Sequence, residues 1–133
     1  MPPISDAGGA EHALVLGSNR RRAGNLRLAW QRLHEHFEVL GCAPPRRTRD
    51  GDGARYLNAA VRIRSTLPPS ALRGILHAIE DESGRARGDA VVTLDIDLVA
   101  SRDAQGGVQV HKPDDLRRDY VRALLAQIGF DPT

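Results

Sequence analysis

The chain has little of several residue types that define large protein classes. One cysteine, Cys42, in 133 residues rules out an internal disulfide and a metal cluster built on cysteine. A lone thiol also fits a reducing compartment. No apolar run approaches the roughly 20 residues that a membrane-spanning helix needs. Residues 1–10 are polar and glycine-rich, with no basic stretch followed by an apolar one, so no secretory signal is read there. The expected location is the cytoplasm. Aromatic residues make up only 4%, which leaves too few for the exposed aromatic pairs of a sheet that stacks RNA bases.

What is present describes an ordinary folding domain. Hydrophobic residues are 41% and charged residues 27%, enough for one core in one domain. Basic residues number 19 and acidic residues 17, and the arginines cluster. They gather at 20–22, at Arg46, Arg47 and Arg49, at Arg85 and Arg87, and at Arg117 and Arg118. Such clusters suit phosphate groups. A solvated, arginine-rich surface has the same appearance.

Periodicity divides the chain into elements. Residues 12–16 read as a buried strand, followed by a turn at Gly17-Ser18-Asn19. Asn25 is the expected N-cap of a helix whose stripe is Leu26, Ala29, Trp30, Leu33 and Phe37, with Trp30 in the core. A second strand starts near Phe37 and stops near Pro44-Pro45. Residues 46–55 read as a mobile polar loop. Residues 56–67 alternate as a half-buried strand, with Leu57, Ala59, Val61 and Ile63 on one face. Pro68-Pro69-Ser70 opens a helix striped by Leu72, Ile75, Leu76 and Ile79, and Gly84 ends it. Residues 91–100 form a strand with Leu94, Ile96 and Leu98 on one side and Thr93, Asp95, Asp97 and Val99 on the other. Gly106-Gly107 turns into a short strand at 108–110. Residues 113–128 form a last helix, with Leu116, Tyr120, Leu124 and Ile128 inward.

The predicted class is α+β: a ferredoxin-like βαββαβ sandwich with a small hairpin and a C-terminal helix appended. The sheet is expected to be mainly antiparallel, with helices on one face and the other face left for a ligand. Residues 1–10 are expected to be a flexible tail and residues 11–133 a single domain.

The sharpest feature is Thr93-Leu94-Asp95-Ile96-Asp97-Leu98. On a strand, alternate residues share a face, roughly 6.6 Å apart. Two carboxylates so placed can each reach one of two cations about 3.5–4 Å apart. Hard oxygens suit magnesium, which binds through one or two carboxylates, waters and substrate phosphates. A bare Asp-x-Asp also occurs as two solvent-facing acids, but like charges side by side on one strand face repel unless something offsets them.

Several segments, in order, resemble the 6-hydroxymethyl-7,8-dihydropterin pyrophosphokinase family. Leu14-Val-Leu-Gly-Ser-Asn19 resembles its opening strand and turn, and Asn25-Leu26-Arg27 its first helix. Tyr56-Leu-Asn-Ala-Ala-Val61 resembles its "YLNAAV" strand. Ala78-Ile79-Glu80 with Gly84-Arg-Ala-Arg87 resembles "IE…GRxR", and Thr93-Leu-Asp-Ile-Asp-Leu98 resembles "TLDLDL". His111, Pro113 and Arg118 resemble the stretch before the last helix. The resemblance runs from about Ala13 to Gly129.

The resemblance implies transfer of pyrophosphate from ATP to the 6-hydroxymethyl group of a reduced pterin, a step of folate biosynthesis. It implies that Asp95 and Asp97 hold two magnesium ions, with Arg85 in a catalytic loop role. It implies that Asn58 bonds the polar edge of the pterin and Tyr56 walls its pocket. Glu80, Arg87, His111 and Arg118 would lie at the nucleotide. The partners implied are ATP and the pterin, with no nucleic acid and no membrane, and the chain is expected to be a monomer. The sequence departs from the family in two places. The usual Arg-Trp-x-Pro-Arg loop before the aspartate strand is reduced to residues 88–92, and the Tyr-x-Thr-x-Pro-x-Gly run before Tyr56 is replaced by residues 44–54. Arg46, Arg47 and Arg49 are candidates to replace lost phosphate contacts. The alternative reading is a degenerate relative that binds a pterin or nucleotide without turnover. A ferredoxin-like RNA-binding module ranks third.

Overall fold

Among the described residues, five strands and three helices follow one another as β1 (Ala10–Ser18), α1 (Arg22–His36), β2 (Glu38–Arg49), β3 (Arg55–Ser65), α2 (Pro69–Glu82), β4 (Asp95–Arg102), β5 (Val108–Val110) and α3 (Asp119–Gln127). The computed structural model describes residues 8–51, 53–88 and 90–133. The expected tail at 1–10 lies outside the described residues as far as residue 7. Ala10 already belongs to β1, opposite Ser65. Among the described residues no helix is long and apolar enough to cross a membrane.

The sheet order is β2-β3-β1-β4-β5, and every neighbouring pair is antiparallel. This is the ferredoxin-like arrangement predicted from the element order, with β5 added at one edge. Strand alternation sends Leu14, Leu16, Ala59, Val61, Ile63, Ile96 and Leu98 to one face. There they pack with Leu26, Ala29 and Leu33 of α1 and Leu72, Leu76 and Ile79 of α2.

The opposite face is not left open, as the sequence suggested. Val121, Leu124, Leu125, Ile128 and Phe130 cover Ala13, Val15, Ala43, Ala60, Val99 and Ala100 in a second core. The small residues on that face let α3 approach closely, a pairing that strand periodicity does not reveal. Part of the face stays uncovered beside α3, and there the site lies.

Other expectations are corrected. Helix α1 begins at Arg22, a turn before Asn25, after Arg21 in the left-handed region (φ 46°). The Asn25 side chain instead donates to the Arg20 carbonyl at 2.7 Å. Trp30 is not core: it is 49% exposed and lies against His34, ring centroids 4.0 Å apart. The stripe holds without it, because Leu26, Ala29 and Leu33 already fill the helix–sheet contact.

Residues 46–49 and Arg55 belong to strands rather than to a loop. β2 continues through Pro44-Pro45 to Arg49, with a register shift between Ala43 and Arg46. The prolines are tolerated because β2 is an edge strand. The chain leaves β2 after Arg49. The Asp50 carboxylate there accepts from the Ala54 N–H at 2.9 Å, and Gly53 takes φ 89°.

β4 starts at Asp95 rather than at 91, because residues 90–92 bond to Asn19 outside the ladder. The expected helix at 113–128 is broken. A 3-10 turn (Asp115–Arg117) precedes α3, with Arg118 extended between them (φ −83°, ψ 129°).

Candidate functional site

One row across the sheet forms the floor of the site. Gly17 of β1 stands directly opposite Asn58 of β3 and Asp95 of β4. Two residues along, Val15 stands opposite Ala60 and Asp97. Asn58, Asp95 and Asp97 therefore share the face that α3 only partly covers. Gly17 is needed in the middle of the row: a Cβ there would lie 2.9 Å from the Asn58 Oδ1 and 3.8 Å from the Tyr56 ring. The neighbouring β2 contributes Thr48, opposite Tyr56, whose hydroxyl accepts a hydrogen bond from the Asn58 amide.

These residues open into a cavity of about 300 Å³. Tyr56, Asn58, Arg85, Asp95, Asp97 and Arg118 all line it. Asp115, Tyr120 and Val121 form its wall on the α3 side. The break before α3 brings Arg118 to that wall, where its guanidinium donates to the Tyr120 hydroxyl at 3.3 Å. The same contact holds the Arg118 guanidinium above its ordinary pKa.

The acid pair is electrostatically loaded. Burial pushes the Asp95 carboxyl up to about 7, with the neighbouring Asp97 and then Glu80 carboxylates adding to the rise. Lys112 donates to the Asp97 Oδ1 at 2.7 Å. Burial alone would lower the Lys112 ammonium, but the contact with Asp97 outweighs it and raises its pKa. Burial, with Asp97 second, also raises Asp115.

Of the arginines singled out as replacement phosphate contacts, Arg49 lines this cavity and Arg46 and Arg47 do not; Glu80, Arg87 and His111 do not line it either. Glu80 is buried behind the acid strand, accepting from the Ile96 N–H at 2.7 Å and from the Arg87 guanidinium at 2.9 Å. It braces the backbone between the two aspartates. Arg87 is held away by Glu80 and Asp81. His111 lies at the β4–β5 edge, with Nε2 2.9 Å from the Ser101 hydroxyl and Nδ1 3.4 Å from the Arg73 guanidinium. Ser101 is in turn 2.7 Å from the Nδ1 of the buried His12.

The reduced segment before β4 is tied down. Asn19 bonds the Ala90 carbonyl and the Val92 N–H through its side chain, and the Val92 carbonyl through its own N–H. Ser83 and Thr93 hydroxyls meet at 2.7 Å, and Arg85 donates to the Val91 carbonyl at 3.3 Å.

Sequence reading missed Gly17, Asn19, Thr48, Asp115, Tyr120 and Lys112 as parts of the site. Thr48 fell in a presumed loop, and Tyr120 shared the spacing of a core stripe. Lys112 could have been found from its place beside His111, but only the turn of the chain after β5 aims it at Asp97.

Among the described residues, no three His, Cys, Asp or Glu side chains gather into a closed metal site. Two carboxylates in an open cavity are instead the donor set that magnesium takes when water and phosphate oxygens complete its shell. The mutual repulsion that raises Asp95 is what a cation there would relieve.

A family model for 7,8-dihydro-6-hydroxymethylpterin-pyrophosphokinase matches residues 13–129. The chain belongs to this family. Compared with curated proteins one by one, it matches none. Pyrophosphokinases of this family transfer a pyrophosphoryl group from ATP, with magnesium, to a pterin in folate biosynthesis. The matched span covers the first core and every residue that lines the acid-pair cavity.

Proposed function

We propose that this chain is a magnesium-dependent pyrophosphokinase acting on 6-hydroxymethyl-7,8-dihydropterin, as a monomer in the cytoplasm. The observation that carries the reading is one cavity bordered by an acid pair, an amide–tyrosine wall and three arginines, Arg49, Arg85 and Arg118. Those are the groups that a metal-bound triphosphate and a flat polar ring require together.

In this reading Asp95 and Asp97 hold two magnesium ions, which would offset charge on the transferring phosphoryl groups. Asn58 presents an amide donor and acceptor to the pterin's polar edge, held in place by Thr48 and by the absence of a side chain at Gly17. Tyr56 and Tyr120 bracket the ring. Arg85 and Arg118 meet the phosphate oxygens. The pterin hydroxymethyl oxygen would form the new bond to the β-phosphorus as its proton passes to solvent water, the bond from that phosphorus to the α–β bridging oxygen would break, and AMP would leave with that oxygen. Glu80 acts from behind, fixing the Ile96 amide and so the spacing of the acid pair. Arg87 and His111, named from the resemblance as nucleotide contacts, serve in this reading as a brace for Glu80 and as an edge residue near the site.

One observation favours a second reading, in which the chain binds its ligands without turnover. Residues 90–92 are pinned by Asn19, and Arg85 is drawn to the Val91 carbonyl. A segment so held is poorly suited to close over bound substrates. An assay following AMP release from ATP in the presence of the dihydropterin separates the two. Magnesium-dependent AMP formation that is lost in Asp97→Asn supports the enzyme. Calorimetric binding of ATP and pterin with no AMP supports the second reading, and no binding of either overturns both.

A further inference from the structure

A depression of about 580 Å³ lies along the end of the β2–β3 ribbon, lined by Arg22, Arg47, Thr48, Arg49 and Arg55, and it meets the acid-pair cavity at Thr48 and Arg49. The register explains the gathering. Arg47 stands opposite Leu57, and Arg49 stands opposite Arg55. Leu57 packs against the helix-side core, so alternation sends Arg55 and Arg47 to that same side, while Arg49, at the end of β2, borders both this depression and the acid-pair cavity. Arg22 reaches the depression from the first turn of α1. A neighbouring depression is lined by Arg21, Arg22 and Arg47 with the uncharged Ala23, Gly24 and Leu57. Five arginines and no acid line the two, among the described residues.

Left alone this arrangement is unfavourable. Like charges directly opposite on paired strands repel. Arg32, Arg62, Arg64, Arg87 and Arg122 each meet a carboxylate elsewhere on the surface. Arg21, Arg22, Arg47, Arg49 and Arg55 meet none among the described residues.

We propose that this arginine cluster binds a small phosphate-rich anion: free oligophosphate, or the phosphate chain of a nucleotide. Several guanidinium forks converging on one hollow match the oxygens of a multiply charged phosphate chain. The cluster spans the start of α1 and the facing ends of β2 and β3 in a molecule of net charge +2, and no aromatic side chain lines it. A nucleic acid asks for a longer basic track and for bases to stack. The assignment does not depend on the activity proposed above.

Calorimetry of the full chain with tripolyphosphate tests it, in EDTA so that no divalent cation engages Asp95 and Asp97, and at constant ionic strength. Binding is expected to be well above that of sulfate, and to fall at least about tenfold in Arg47→Ser/Arg55→Ser, the loss of about one charge-assisted contact. Asp97→Asn is expected to leave it unchanged. ATP in EDTA binding more tightly than tripolyphosphate, with the same arginine dependence, identifies a nucleotide as the source. Equal affinity identifies the phosphate chain alone. Because the arginines repel one another, the double variant is expected to melt no lower than the native chain without anion. Arg22→Ser provides a second variant should it melt lower. Tripolyphosphate binding no stronger than sulfate, or insensitive to Arg47, Arg55 and Arg22, overturns the proposal. So does a short single-stranded RNA that binds more tightly through the same residues.

Discussion

At the scale of single residues, Gly17 and Asp95 show how function and stability pull apart. Gly17 sits where any side chain would press on the Asn58 oxygen. Gly17→Ala is expected to displace Asn58 from Thr48 and to weaken pterin binding roughly tenfold, about the worth of one hydrogen bond. Calorimetry with the pterin reads this, and unchanged affinity would remove Asn58 from the pocket. Asp95 titrates near 7 in the folded chain against 3.8 ordinarily, so folding favours its protonated form. Its contribution to stability is full below about pH 4 and is lost as the pH rises through about 7. Asp97, Glu80 and Lys112 face it. The metal-free protein should therefore melt lower at pH 8 than its other groups predict. Asp95→Asn should melt several degrees higher at pH 8 and almost equally at pH 4. A melting curve of this variant that parallels the native one across that range would contradict the burial of the acid pair.

At the scale of elements, two contacts hold the acid strand in place. Glu80 is almost wholly buried between the Ile96 N–H and Arg87. Removing it leaves a buried donor unpaired, so Glu80→Ala should cost about 2–4 kcal/mol in urea unfolding. Glu80→Gln should recover part of that. Asn19 ties residues 90–92 to the end of β1. Asn19→Ala should cost about 1–2 kcal/mol and speed hydrogen exchange at the Val92 amide, with little change at Leu98. Uniform exchange changes across the sheet would mean that the tie is not local. The elements themselves were largely legible. The α2 stripe of Leu72, Leu76 and Ile79 and the alternation of 57–63 announce their periods directly. The length of β2 was not legible, because Pro44-Pro45 signals a break and only an edge position makes the prolines harmless.

At the scale of the whole molecule, α3 decides what the second face of the sheet can do. It buries Ala13, Val15, Ala60, Val99 and Ala100 and leaves the row of Asn58, Gly17 and Asp95 beside it open. A chain ending at Arg118 would expose that apolar face and is expected to bind a hydrophobic dye and lose its cooperative melting transition. Cooperative melting of the shortened chain would mean that the first core suffices. The acid pair, the strand that carries Asn58 and the ferredoxin-like order can all be read from residue spacing, because strand and helix periods are local properties of the backbone. Spacing also places Asp95 beside Asp97. It does not say that both lie across β1 from Asn58, that Glu80 braces them while Lys112 caps Asp97, or that arginines at 22, 47, 49 and 55 meet in one hollow. Those facts depend on the register between strands distant in the chain and on where α3 comes to rest, and packing alone sets both.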